Sequence, residues 1–183
     1  MSSSSGSHPE GADGPRVVVR AAVPADARRI REIIAPTAAE GIVIDKGLVA
    51  YFESIQEFVV AEATDEGTPR VIGCGALHVL WDDIAEVRTV AIDPEFRRRG
   101  VGHRIVETLL ARARELGLKR VFCLTFEVAF FRGHGFQPIA GTPVGTDVYA
   151  QMLRSHDEGV AEFLDLARVK PNTLGNTRMM LEL

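Results

Sequence analysis

The segment Val90-Ala91-Ile92-Asp93-Pro94-Glu95-Phe96-Arg97-Arg98-Arg99-Gly100-Val101-Gly102 constrains the fold of this chain more than any other. It runs from a β-branched apolar stretch, through an Asp-Pro turn, into a basic loop that opens the most regular apolar repeat of the sequence. Val101, Ile105, Leu109 and Ala113 recur every four residues, with Val106, Leu110 and Leu116 alongside, so an amphipathic helix is expected, stopped at Gly117. The first N–H groups of such a helix have no intrahelical partner, and the peptide dipoles place positive potential there. Gly100 and Gly102 remove the Cβ atoms that would hold an anion away, and the arginines add donors and charge. A pyrophosphate suits this loop. Taken alone, the pattern equally describes a helix that starts with glycines after an exposed basic turn.

Around this unit the chain alternates strands and helices. Val17-Val18-Val19 reads as a first strand, and Pro24-Ala25-Asp26 opens a helix carrying Ile30, Ile33 and Ile34 on one face, interrupted at Pro36. Val49, Phe52 and Ile55 recur every three residues and suggest a second helix. A strand from Phe58, the turn residues Asp65 to Pro69 and an apolar run from Arg70 to Leu80 read as a hairpin, followed by a strand over Ile84 to Ile92. Arg120 to Phe126 is a buried strand. A short helix around Phe130 to His134, a helix near Asp147 to Phe163 and a final strand over Arg178 to Leu183 complete the pattern. The expectation is one mixed α/β domain over residues 16–183, preceded by a disordered tail over residues 1–15.

The bulk properties narrow the function. A formal net charge of −4 argues against a broad grip on nucleic acid. No run approaches the ~18 apolar residues of a membrane span. The N-terminal serines and glycines lack the apolar core of a signal peptide, so a cytoplasmic protein is expected. Cys74 and Cys123 both lie in apolar runs and read as buried reduced thiols.

With Val90-Ala91-Ile92-Asp93-Pro94 before Arg97-x-x-Gly100-x-Gly102, and with Phe130-Phe131 and Gly135-Phe136 downstream, the chain resembles the GNAT superfamily of N-acetyltransferases. The resemblance covers roughly residues 16–183. It implies an α/β fold with a mixed central sheet whose fourth and fifth strands splay apart, with acetyl-CoA as cosubstrate in the gap and no metal. Backbone groups of Val90, Ala91 and Ile92 would hold the pantetheine arm. The loop Arg97, Arg98, Arg99, Gly100, Val101, Gly102 and His103 would hold the pyrophosphate, with Phe131 beside the cofactor. Superfamily members are often dimers, so a homodimer is admitted; the sequence offers no decisive interface.

Acetyl transfer requires a neutral amine, hence a base, and donors for the developing oxyanion. Glu86 is the base candidate, since many superfamily members carry a glutamate at this position. By strand alternation Glu86, Arg88 and Val90 share one face unless a bulge intervenes. Where many members place a proton-donating tyrosine, this chain has Phe131, which cannot donate; Thr125, His134, water or unassisted departure of the thiolate remain.

The short link from Thr125 to Phe131 and the stretch Lys170 to Arg178 most resemble stand-alone N-acetylglutamate synthases. That likeness implies transfer to the α-amine of L-glutamate, or of L-glutamine, at the head of arginine biosynthesis. Lys46, Arg88, Lys170 and Arg178 are then candidate cations for the acceptor's carboxylates, with Asn176 and Thr177 as neutral donors. The alternatives are transfer to another small amine or a protein N-terminus, and a catalytically silent acyl-CoA-binding domain.

Overall fold

A computed structural model of the chain describes residues 16–39, 46–65, 67–166 and 175–183. The expected tail, residues 1–15, and Lys170 lie outside the described residues. Among the described residues, seven strands, β1 (Arg16–Ala21), β2 (Phe58–Asp65), β3 (Thr68–Val79), β4 (Ile84–Ile92), β5 (Arg120–Thr125), β6 (Gln137–Pro138) and β7 (Thr177–Glu182), form one sheet in the order β1-β2-β3-β4-β5-β7-β6. Every pairing among them is antiparallel except β4–β5, which makes the sheet mixed.

Helices cover both faces. α1 (Ala27–Ala39) and α2 (Leu48–Glu53) bury Ile30, Ile33, Ile34 and Tyr51 against Val60, Cys74, Ala76 and Ala91. The amphipathic helix α3 (Val101–Glu115) lies on the opposite face and buries Ile105, Val106, Leu109 and Leu110 against Ile72, Ala85 and Val87. Gly75 lets it approach closely, because a Cβ there would stand 2.7 Å from the Ile105 side chain. After β5 come α4 (Val128–Gly133), α5 (Thr146–Met152) and α6 (Glu158–Phe163); Phe163 of α6 packs edge-on against Phe122 of β5.

Three expectations are corrected. Pro36 does not interrupt the first helix: α1 continues through it to Ala39, because the proline is exposed and water can solvate the carbonyl it leaves unbonded. The repeat Val49, Phe52, Ile55 does not mark the buried face. Val49 and Phe52 are 64% and 39% exposed, whereas Tyr51 and Ile55 are buried, the latter in a 3-10 turn after α2 ends. The helix expected near residues 147–163 is two, since Asp157 starts a new one by accepting a hydrogen bond from the Val160 N–H.

Two irregularities in β4 leave a gap in the sheet and turn the strand within it. Its parallel pairing with β5 stops after Glu86↔Phe122, so the strands part beyond that rung. On its other edge the register with β3 slips, so that Thr89 and Val90 together oppose Gly75. Thr89 adopts φ 59°, a left-handed conformation costly for a β-branched residue and typical of a bulge.

Candidate functional site

Where β4 and β5 part, a cleft of about 680 Å³ opens. Val87 to Ile92 form one wall, Leu124 to Glu127 with Phe130 and Phe131 the other, and α6 closes one end with Glu158, Gly159 and Glu162. The bulge at Thr89 divides the strand's two faces. Glu86 and Arg88 point toward α6, whereas Val90 and Ile92 pack with the α3-side core and Ala91 with the α1-side core. The alternation that would place Val90 with Glu86 is therefore broken by the extra residue.

The opposite end of the cleft is the arginine–glycine loop. Arg97, Arg98, Gly100, Val101, Gly102 and His103 line it, and Arg98 (φ 62°) and Gly100 (φ 76°) both take the left-handed conformation. Alternation of this kind turns successive N–H groups toward one concavity, and the N–H groups of Val101, Gly102 and His103 extend it at the start of α3. The donor set fits a pyrophosphate. Arg99 is the exception: its guanidinium lies 5.3 Å over the Phe96 ring, with Arg70 5.6 Å from the same ring, and its side chain does not line the cleft.

Asp93 anchors this loop. Its carboxylate accepts from Arg29 of α1 at 2.6 Å, from Arg70 of β3 at 2.7 Å and from the Glu95 N–H at 3.2 Å. Burial opposes its charge, but the backbone donor and the two arginines prevail and hold the carboxyl below its ordinary value.

At the α6 end Glu86 is 5% exposed, and its Oε2 has no hydrogen-bond partner among the described residues. Burial pushes its carboxyl up to about 7, against the pull of Arg88. The Arg88 guanidinium donates to Asp157 at 3.0 and 3.2 Å and to Glu57 at 2.9 Å, and stands 3.8 Å from Glu86 Oε2. His78 joins the set, its Nδ1 2.8 Å from Glu57 and its Nε2 3.7 Å from Asp157. Gly159 of α6 lies directly over Glu86: a Cβ at that position would fall 2.0 Å from Oε2.

Of the other expected residues, Lys46, Asn176 and Phe131 line the cleft. Asn176 presents a buried Oδ1 without a partner among the described residues. Thr177 pairs with Thr125 in the sheet and Arg178 donates to the Glu162 and Phe163 carbonyls at the end of α6, so neither lines the cleft. His103 Nδ1 lies 2.9 Å from His134 Nε2, and both rings pack on Phe130. Phe131 is buried edge-on between Phe130 and Phe136. Thr125 is buried on the cleft wall with its Oγ1 accepting from the Glu127 N–H, which leaves the hydroxyl proton to be donated elsewhere. Sequence reasoning missed Glu57, His78, Asp157 and Gly159. Only the Asp157-Glu158 pair before an apolar run, a helix-start signal, could have drawn notice.

The splayed strands, the helix-opening loop and the buried glutamate define an acetyltransferase, and the chain belongs to the acetyltransferase (GNAT) family, whose pattern matches residues 29–136. It is similar to the amino-acid acetyltransferase of Mycobacterium tuberculosis, with 54% identity over 168 residues that span 92% of this chain and 95% of that one. The crystal structure of Rv2747 from Mycobacterium tuberculosis in complex with CoA and NLQ has a TM-score of 0.85 at 54% identity, covering 91% of this chain and 99% of that one. The N-acetylglutamate synthase of Neisseria gonorrhoeae, complexed with coenzyme A and N-acetyl-glutamate, shares the fold with a TM-score of 0.69 at 21% identity; the match covers 92% of this chain and 35% of that one. This chain is an acetyl-CoA-dependent acetyltransferase of that family.

Proposed function

We propose that the chain transfers the acetyl group of acetyl-CoA to the α-amine of L-glutamate, the opening step of arginine biosynthesis, in the cytoplasm, and that residues 16–183 act as one catalytic domain. The observation that carries the chemistry is the buried Glu86 carboxylate, with one oxygen unpaired and turned to the cleft. The names of the relatives support the amino-acid acceptor.

In this reading the substrate ammonium gives one proton to Glu86, and the neutral nitrogen attacks the thioester carbon. A backbone N–H near Val90 to Ile92 donates to the developing oxyanion. The tetrahedral adduct then passes its second N–H proton, relayed by water or by the Thr125 hydroxyl, to the departing thiolate, and Glu86 returns its own proton to solvent. A thiol with a pKa near ~8.5 leaves without strong help, which is why a phenylalanine is tolerable at 131. A base whose pKa lies close to neutrality is well matched to the task. Arg97, Arg98 and the amides from Arg98 to His103 would hold the pyrophosphate.

One observation favours L-glutamine as the second acceptor. Arg88 is engaged by Glu57 and Asp157, and Arg178 by α6, so neither is set to receive a side-chain carboxylate. Lys46 is the remaining described candidate cation on the cleft wall, and an uncharged carboxamide needs it less. Thiol release with a panel of amino acids, a peptide N-terminus and an aminoglycoside tests the reading. Turnover confined to glutamate or glutamine is expected, lowered ~10²-fold or more in Glu86→Gln. Turnover only with the peptide or aminoglycoside would overturn the acceptor; tight acetyl-CoA binding with no transfer to any amine would overturn catalysis.

A further inference from the structure

The four titratable groups around Arg88 come from four separate parts of the chain: Glu57 precedes β2, His78 lies near the end of β3, Glu86 lies on β4 and Asp157 caps α6. Their arrangement is unequal. Arg88 makes close hydrogen bonds to Glu57 and Asp157, yet it stops 3.8 Å short of Glu86, the group in whose chemistry a cation would matter most. A buried arginine adjacent to a buried glutamate would ordinarily close on it as a short, charge-assisted pair. Here the guanidinium is held from two sides, and His78 braces both holders from the far side. Burial works against ionisation of Glu57 and Asp157, but Arg88 prevails at both, with hydrogen bonds from His78 to Glu57 and from the Val160 N–H to Asp157, so both carboxyls sit below their ordinary values and stay anionic while the grip holds.

We infer that Asp157, with Glu57 and His78 behind it, is a positioning residue for acetyl transfer: it holds Arg88 away from Glu86 and so keeps one Glu86 oxygen open to the acceptor amine. The inference rests on the reading of Glu86 as the base. It gives α6 a function beyond closing the cleft, because the turn that presents Asp157 to Arg88 also brings Gly159 over Glu86. The charged and titratable groups that face Glu86 are Arg88 on its own strand, His78 on β3, Asp157, Glu158 and Glu162 from the α6 segment, Lys46 before α2 and Cys123 on β5, with Glu57 behind Arg88. Cys123 has its thiol pushed far up by burial and stays neutral.

Asp157→Asn keeps the cap's shape but removes one anion from Glu86's surroundings and half of the grip on Arg88. Both changes favour the Glu86 carboxylate, so the acidic limb of the kcat profile should move down by about one pH unit, a tenfold change in the ionisation ratio at fixed pH. Arg88→Gln should move it up. The amine's own ionisation is common to all variants. The experiment is kcat and KM for the amino acid from pH 5.5 to 9 in the parent, Asp157→Asn, Asp157→Glu, Arg88→Gln and Glu86→Gln, with coenzyme A affinity as the check on folding. A downward limb in Asp157→Asn, restored in Asp157→Glu, is the expected result. A uniform loss of kcat with the limb in place would make Asp157 merely structural and overturn the inference. If Glu86→Gln keeps both rate and limb, the base assignment itself fails, which is a separate outcome. Should Asp157→Asn not bind coenzyme A as the parent does, Glu57→Gln loosens the other side of the grip and carries the same signed prediction.

Discussion

Replacing Gly159 by alanine puts the geometry above Glu86 to a direct test. The glycine does not adopt a positive φ, so its backbone would accept an alanine; the objection is one of space. The new Cβ would lie 2.0 Å from Glu86 Oε2, 2.9 Å from its Cδ and 3.1 Å from Asp157 Oδ1. Ordinary contact near ~3.5 Å then requires the carboxylate or the helix to yield by more than about 1 Å. A misplacement of ~1 Å in a catalytic group costs on the order of 10²-fold in rate, and that is the expected fall in kcat at saturating acetyl-CoA. Overpacking destabilises by about 1–3 kcal/mol and the better helix former returns up to ~1 kcal/mol, so the net loss should be about 1 kcal/mol, or about 2–4 °C in Tm for a chain of this size. The sharper reading comes from a double-mutant cycle with Glu86→Ala. Without the carboxylate there is nothing to strike, and Gly159→Ala should become neutral or stabilising. Thiol release measures the first part and thermal unfolding the second. Wild-type turnover in Gly159→Ala, or an equal Tm loss in both backgrounds, would refute the steric argument.

Two further outcomes concern buried carboxyls of opposite sign. Glu86 holds its proton more tightly when folded than when unfolded, its pKa rising from the ordinary 4.5 to about 7. Between those values the native state binds more protons, so stability falls as pH rises, by at most ~3 kcal/mol; Glu86→Gln should therefore gain in Tm over the parent at pH 8 relative to pH 5, and an identical difference at both pH values would contradict this. Asp93 has the opposite sign: its carboxyl is held low, so its contribution is present at neutral pH and is lost as pH falls through the folded value. Asp93→Asn should cost about 2 kcal/mol at pH 7, or roughly 4–8 °C in Tm, and raise the acetyl-CoA KM more than it lowers kcat; an unchanged KM would show that the loop keeps its shape without the anchor.

The features legible in the sequence were those that local physics decides. The strand, the Asp-Pro corner, the helix from Val101 and its stop at Gly117 are set by neighbours in the chain, and they appear where expected. Glu86 became a candidate through the resemblance to the superfamily, not through strand parity, since the count from Val90 back to it crosses an irregular pairing with β3. Parity failed at Thr89, where the extra residue is visible only in the pairing with β3. The tie-up of Arg88 was invisible for a different reason. Its partners Glu57 and Asp157 lie 31 and 69 residues away, and nothing in either segment marks it as a companion of the other. Arg178 looked like a substrate cation for the same reason, before the end of α6 was seen to receive it.

The parting of β4 and β5 leaves the β5-facing edge of β4 beyond Glu86 without a neighbouring strand. An edge of this kind is normally a liability at the rim of a sheet, where another chain can add to it. Here it lies in the middle of the sheet, recessed within a cleft. In the proposed function, cosubstrate bound along it would do the work of a missing strand, so binding and folding would draw on the same free energy, and stability would rise by RT ln(1 + [L]/Kd). The abundance of acetyl-CoA would then bear on how long a newly made copy of this enzyme stays folded, as well as on how fast it turns over.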